Sequence, residues 1–405
     1  MGDILRIVIV PAVLALAIAM TGWLRRPLHD AGFEARDLAA PPLVRVGVIV
    51  DAPSVSFKVD GPVRVVDPTG REVFWQGPSI AGKASAMPAS GPGIRLHGQL
   101  AVPLDEVLIL PARDGTLEIG TSRYRGALRL LARGPRRQLT AVNELDLERY
   151  LQGVITSEMR PHWPAEALKS QAVVARTYAL YEILNGYVRS KRGFDVFDDD
   201  NSQLYRGIGG ETPESEDAAR DTYGVVLRWQ GRLFKAFYQN TCGGQTESAK
   251  TVFLEQDIPP LAGTACDFCG HSKHFRWRVE ATKTDLATKV FGPKPPGPVA
   301  EVKILEKAPG GLVLKAAVRT GGRSPAEKTM TGKELRSAVN PAKFKSLAFD
   351  VSDAGDRFVF EGRGWGHLVG LCQEGARGFA EKTPGATFRQ ILDYYYPGAA
   401  AGRIY

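Results

Sequence analysis

The stretch Leu145-Asp146-Leu147-Glu148-Arg149-Tyr150-Leu151-Gln152-Gly153-Val154-Ile155-Thr156-Ser157-Glu158-Met159-Arg160-Pro161-His162-Trp163-Pro164 decides how this chain is read. Leu147, Tyr150, Leu151, Val154 and Ile155 recur at i, i+3, i+4, i+7 and i+8, one face of a helix, with Asp146 near its start. Pro161 ends that helix, and Pro164 suits the first position of the next, where a missing N–H does no harm. The second helix is predicted to run to about Leu184 through Ala167, Leu168, Ala172, Val173, Ala175, Arg176 and Ala179, with Gly186 as its stop. Residues 145–186 therefore read as a helix–turn–helix pair, the longest helical stretch in the sequence.

Away from this pair the period changes. Upstream, Val44 to Val50, Pro62 to Val66, Glu106 to Leu110, Thr116 to Ile119 and Gly126 to Leu131 are short β-branched or alternating runs bounded by turn residues. Downstream, a helix is predicted over Pro213 to Tyr223 with Thr212 as cap, followed by a hairpin of Val225 to Trp229 and Leu233 to Tyr238. Two strands flank Pro309-Gly310-Gly311, and short helices are expected near 371–380 and 387–395. The fold class is α+β, a β-rich scaffold carrying a helical core. Its parts are 1–26, a signal peptide or signal anchor; 27–42, a linker; 43–142, β-rich; 143–292, the core; 293–357, a β-rich insertion; and 358–405, the end of the core.

Composition narrows the class. Of 405 residues, 44% are hydrophobic and 24% charged, which excludes a disordered chain, a collagen-like fibre and a multi-span membrane protein. Four cysteines are too few for a disulfide scaffold of this length. Residues 7–24 carry no charge and are flanked by Arg6, Arg25 and Arg26, so the remainder is expected outside the cytoplasm, with this segment as its membrane contact. The net charge of +8 favours a polyanionic partner; by charge alone a nucleic acid, an anionic membrane surface and an acidic glycan would all satisfy it. No nucleic-acid partner is expected.

Chemistry concentrates at Ser157-Glu158-Met159-Arg160-Pro161-His162-Trp163-Pro164. A carboxylate at the end of an amphipathic helix meets the negative end of the macrodipole, and the aromatic and proline residues after it could wall a cleft. Desolvation there raises a glutamate pKa above about 4.3 and suits it to general-acid work. Lys169 and Arg176, two turns apart on the next helix, share a face and are expected to pack near Glu158, where their charges would oppose that rise.

Several blocks together resemble the stage II sporulation protein D (SpoIID/LytB) family. They are Asn143 to Ala179, with Glu148-Arg149-Tyr150-Leu151-Gln152-Gly153-Val154 and Ala167-Leu168-Lys169-Ser170-Gln171-Ala172; Asn201-Ser202-Gln203-Leu204-Tyr205; Phe237-Tyr238; and Gly243-Gly244-Gln245-Thr246. Gly362-Arg363-Gly364-Trp365-Gly366-His367-Leu368-Val369-Gly370, Gln373-Glu374-Gly375-Ala376 and Tyr394-Tyr395-Tyr396-Pro397-Gly398 follow in the same order. The resemblance implies a peptidoglycan lytic transglycosylase acting on glycan strands, with Glu158 as acid/base and no cofactor needed for the chemistry. Lys169, Arg176, Gln203, Tyr205, Tyr238 and His367 are its expected substrate-binding residues. Leu368 stands where the family run has glycine, and is expected to narrow the groove beside His367. Some members are described as modifiers of wall amidases, so a glycan-binding activator of an amidase is the alternative. A Cys372/His367 hydrolase is a third reading.

Cys266-Asp267-Phe268-Cys269 is a C-x2-C knuckle trailed by His271 and His274, and Cys242 precedes Gly243. Cys242, Cys266, Cys269 and His274 would make a tetrahedral structural zinc site. One disulfide of Cys242 with a knuckle cysteine, or free thiols, are the alternatives. Cys372 stands apart and is expected to be buried. Asp198-Asp199-Asp200 reads as a solvated loop.

Overall fold

Strand Gln138–Asp146 runs directly into helix Leu147–Glu158, and Asp146 serves both, its carboxylate accepting the Arg149 N–H at 3.0 Å. A computed structural model gives the structure of the protein and describes residues 33–34, 38–86, 93–98, 100–113, 115–254 and 257–405. The apolar segment 7–24 lies outside the described residues. Among these residues no helix is long and apolar enough to cross a membrane.

The architecture is mixed α and β, richer in strand. Gln138–Asp146 pairs antiparallel with Leu43–Ala52 on one side and Ala127–Arg133 on the other, third from one edge of a sheet that counts eleven strands among the described residues. One continuous core links Val44, Val46 and Leu145 of this sheet to Leu147, Tyr150, Leu151, Val154 and Ile155. The helical face read from the sequence is thus the face that meets the sheet.

Helix Ala165–Asn185 is buried almost all round, as expected of a central helix. It packs against Leu147–Glu158, Pro213–Asp221, Gln373–Lys382, Phe388–Tyr395 and strand Val225–Trp229. Gly186 ends it at φ 63°, the left-handed region. Thr212 caps Pro213–Asp221 through a reciprocal bond with Ser215.

The predicted second hairpin strand is corrected. Only Arg232–Leu233 returns along Val225–Trp229; the chain then leaves, and Tyr238–Gln239 pairs in parallel with Leu371–Cys372. Burial of Phe234, Ala236 and Phe237 in the main core draws the backbone away from the ladder.

A second core surrounds Phe344, Phe349 and Phe360 and gathers apolar side chains from Val279 to Phe360. Its sheets are Arg276–Thr282 with Arg357–Arg363 and Phe349–Asp353, and Val299–Lys307 with Val313–Thr320 and Glu327–Thr331. Helices Lys283–Phe291 and Gly332–Val339 complete it, the latter opened by a Thr331–Glu334 capping box.

Gly153 lies where the first helix meets the 198–210 segment. A Cβ there would sit 2.6 Å from the Tyr205 ring and 2.9 Å from the Gly207 carbonyl oxygen. Helix propensity alone favours Gly153→Ala by about 1 kcal/mol. Because Tyr205 is held through its hydroxyl to Asn143 (2.8 Å), overpacking is expected to win, with a net loss of about 1–3 kcal/mol. Urea unfolding of the variant checks it.

Candidate active site around Glu158

Glu158 is the last residue of helix Leu147–Glu158, with no basic residue in its final turn. Its carboxylate is half-buried and receives three hydrogen bonds. The Leu204 N–H (2.7 Å) and the Tyr238 hydroxyl (2.8 Å) donate to Oε1, and the Gln373 amide (3.3 Å) donates to Oε2. Burial is the largest influence and raises the Glu158 pKa; the three donors pull it back only in part. The helix C-terminus acts in the same direction as burial.

Three chain segments supply these donors. Strand Val196–Phe197 joins the edge of the large sheet beside Leu43–Ala52 and leads to Leu204. Tyr238 and Gln373 come from neighbouring strand ends, because Tyr238 pairs with Leu371 and Gln239 with Cys372, the residue before Gln373. Behind Tyr238 runs a polarised chain. The Tyr150 hydroxyl donates to Gln203 Oε1 at 3.1 Å, and Gln203 Nε2 donates to the Tyr238 hydroxyl at 3.2 Å. Burial pushes both phenols well above their usual range, so they stay protonated donors.

The sequence-expected residues divide. Tyr238 touches Glu158, and Gln203 stands one step behind it, fully buried. Tyr205 is buried in the core, its hydroxyl donating to Asn143 and its ring tilted against those of Tyr150 and Tyr124, so it is not placed as a substrate-binding residue. His367 is half-buried against Phe237 and Phe253; its Nδ1 accepts the Val369 N–H at 3.0 Å. Burial pushes its pKa down to about 4, leaving the ring neutral at neutral pH.

Two expectations are corrected outright. Arg176 is 0% exposed and forks onto Glu148 at 2.7 and 2.8 Å, with further donation to the Val225, Ala219 and Ala172 carbonyls and to Thr222. Its donors are consumed inside the core, so it is not a cleft residue. Lys169 bridges Glu166 (3.0 Å) and Asp221 (3.1 Å) rather than approaching Glu158. Neither cation contributes to the Glu158 shift.

Leu368 is corrected too. It adopts φ 66°, a conformation that favours glycine, and buries its side chain with Ala308, Leu312 and Ala348 instead of narrowing the groove. In the acidic loop, Asp199 and Asp200 are exposed, but Asp198 is half-buried and pushed up to about 6 by burial and then by Asp199.

Sequence reading missed Leu204 and Gln373 as partners of Glu158. The Gln373-Glu374-Gly375 block was the available signal; a backbone N–H leaves none.

The cysteine expectation changes in one member. Cys242, Cys266, Cys269 and Cys372 place all four sulfurs within 4.8 Å of one another. His274 is not in that group; its ring packs against Trp365 at 4.4 Å between centroids. Cys372 Sγ accepts the N–H groups of Cys242 and Gly375, both at 3.2 Å, and is buried among the other three sulfurs, so it is not placed as a nucleophile paired with His367.

A desolvated carboxyl backed by protonated donors is an arrangement able to hold and give up a proton. Residues 135–229, which hold Glu158 and its helix pair, match the family described as Stage II sporulation protein, and residues 239–370 match a domain of unknown function. The chain is 30% identical over 273 residues to stage II sporulation protein D of Bacillus subtilis, covering 64% of this chain and 75% of that one. An uncharacterized protein of Brachyspira hyodysenteriae is 30% identical over 295 residues, 72% of this chain and 76% of its own. The amidase enhancer of Bacillus subtilis is 28% identical over 292 residues, 61% of this chain but 39% of that protein. The chain belongs to the stage II sporulation protein D family.

If Arg176 is structural, Arg176→Met leaves the Glu148 carboxylate buried without its partner and is expected to lower stability by about 3–5 kcal/mol. Lys169→Met breaks partly exposed pairs and should lose no more than about 1 kcal/mol. Equal, small losses in chemical denaturation would return Arg176 to the cleft.

Proposed function

We propose that the protein is a lytic transglycosylase that cleaves peptidoglycan glycan strands, best those stripped of stem peptides, with Glu158 as the single acid/base. Family membership gives it a role connected with the cell wall. The observation that carries the finer reading is the Glu158 carboxyl itself: half-buried, raised in pKa, and hydrogen-bonded only by neutral donors among the described residues.

Such a group holds its proton where an ordinary glutamate has lost it. In the proposed reaction the Glu158 proton goes to the glycosidic oxygen as the bond from muramic C1 to that oxygen breaks. The carboxylate then accepts the proton of the muramic O6 hydroxyl as O6 bonds to C1, closing a 1,6-anhydro ring. Glu158 ends as it began, and no water is consumed. A second carboxylate, which hydrolases use to activate water, has no task here. Tyr238, Gln373 and the Leu204 N–H orient the carboxyl and stabilise it during the interval in which it is charged. On this reading the chain acts outside the cytoplasm, with residues 7–24 as its export or anchor segment.

A second reading has the amidase enhancer in its support: binding of glycan without cleavage, in aid of a wall amidase. Mass spectrometry of products from denuded glycan strands separates the two. Anhydro-muramic ends, one water lighter than hydrolysed ends and absent with Glu158→Gln, are the expected outcome. Strands bound but unchanged would favour the enhancer reading, and reducing ends would mean hydrolysis.

The pH dependence follows from the same group. The acid must be protonated to donate, so the rate should fall as pH rises through the raised Glu158 pKa. Tyr238→Phe removes a donor that favours the charged form, so the pKa climbs further and the alkaline limb of the rate profile moves to higher pH. A limb that stays in place would detach Tyr238 from the acid.

A further inference from the structure

The geometry points to a tetrathiolate zinc site formed by Cys242, Cys266, Cys269 and Cys372, which clamps together the two strand ends that present Tyr238 and Gln373 to Glu158. The site itself does not depend on the transglycosylase reading.

Four sulfurs from three distant parts of the chain converge in the core, each residue no more than 1% exposed. All lie within 4.8 Å of one another. Tetrahedral zinc with bonds of about 2.3 Å sets its sulfurs about 3.8 Å apart. Cys242 and Cys269 stand at 3.6 Å, far beyond the roughly 2.05 Å of a disulfide. Cys266 and Cys269 supply the C-x2-C pair that wraps a metal from one turn. Cys242 and Cys372 supply the two ligands that complete the tetrahedron.

Two of the four sulfurs meet hydrogen-bond donors. Cys372 Sγ accepts two backbone N–H groups, and Cys266 Sγ lies 3.1 Å from the Tyr395 hydroxyl. Such donors stabilise sulfur that carries charge and orient it. Gly375 lets the helix come this close: a Cβ there would stand 2.9 Å from Cys266 Sγ and 3.1 Å from Cys372 Sγ. Four thiolates buried without a cation would repel one another, and a dication cancels half of that charge. All-sulfur tetrahedra suit zinc, with iron as the main competitor.

Position gives the site its purpose. Cys242 lies four residues after Tyr238, and Cys372 immediately precedes Gln373. The two short strands share only two residue pairs, Tyr238 with Leu371 and Gln239 with Cys372. A metal across their ends holds what two pairs would hold weakly.

The test uses the full chain purified without added metal. Elemental analysis should give one zinc per chain, released with four titratable thiols by a mercurial reagent, and the denatured, unreduced protein should show four reduced cysteines by intact mass. His274→Ala should keep its full equivalent of zinc, and Cys372→Ser should lose it. Wild-type protein without metal, whether its cysteines are paired in disulfides or all reduced, would overturn the site. One equivalent of iron with visible charge-transfer absorption would overturn zinc. Zinc lost from His274→Ala but retained by Cys372→Ser would overturn the ligand set.

Discussion

The buried fork between Arg176 and Glu148 is the constraint around which the helical half is arranged. Glu148 sits in the first turn of the helix that ends in Glu158, and Arg176 sits in the middle of the central helix. The guanidinium also reaches the carbonyls of Ala219 and Val225 and the hydroxyl of Thr222, while Glu148 takes the Tyr405 hydroxyl. Five segments therefore meet at one pair of charges: both helices, Pro213–Asp221, Val225–Trp229 and the chain end. A pair this deep adds little net stability over an apolar replacement, since its desolvation offsets its attraction. What it supplies is geometry: only one arrangement of those segments satisfies all its donors. That arrangement sets the angle at which the first helix delivers Glu158.

The same diversion of Arg176 sets the chemistry. Had Arg176 and Lys169 faced Glu158, their charges would have held the carboxyl ionised against desolvation. With Arg176 committed to Glu148, and Lys169 to Glu166 and Asp221, the acid is left with neutral donors only among the described residues. Burial and the helix C-terminus then act unopposed by any cation. The chain of donors from Tyr150 through Gln203 to Tyr238 supports an anion when one forms without abolishing the preference for the protonated state. An acid that must give up and recover one proton needs that balance.

Much of this was legible in one sequence, and the illegible part has a pattern. The helix pair, its Asp146 cap, its Gly186 stop and the Thr212-capped helix are local features, written in periods and caps that a reader can count. Glu158 stood out because a carboxylate at a helix end beside Pro161 and Trp163 violates a local rule. Lys169 and Arg176 were read correctly as sharing a helix face, but a shared face does not say what lies opposite. Glu148 and Asp221 were the decisive facts, and both are long-range. Leu204 acts through its backbone, which no side-chain pattern reports. Helix Gly332–Val339 was overlooked although Thr331-Gly332-Lys333-Glu334 spells its capping box. The fourth sulfur was hidden for the opposite reason: His274 had the right spacing for a ligand, and Cys372 had none.

The loop 362–370 indicates how the second core is tied to the site. Its strand Arg357–Arg363 belongs to that core, and a few residues later Leu371–Cys372 pairs with the strand of Tyr238. Between them the backbone turns through Gly364, Gly366 and Gly370, all at positive φ, and through Leu368 at 66°. Glycine at 368 would take this conformation without strain; leucine takes it at a cost of about 1–3 kcal/mol. The offset is burial of its side chain against Ala308, Leu312 and Ala348, a small apolar cluster that belongs to neither of the larger cores. Arg363 fastens the same turn, donating to the carbonyls of Cys242, Gln245 and Gly310 and pairing with Glu247 at 3.0 Å. The loop is thus held by an arginine bonded to the 242–247 segment and Gly310 and by a leucine seated in the small cluster. Between those anchors the loop presents His367 to Phe237 and Phe253, and beyond Leu368 the chain runs on to Gln373, which bonds Glu158.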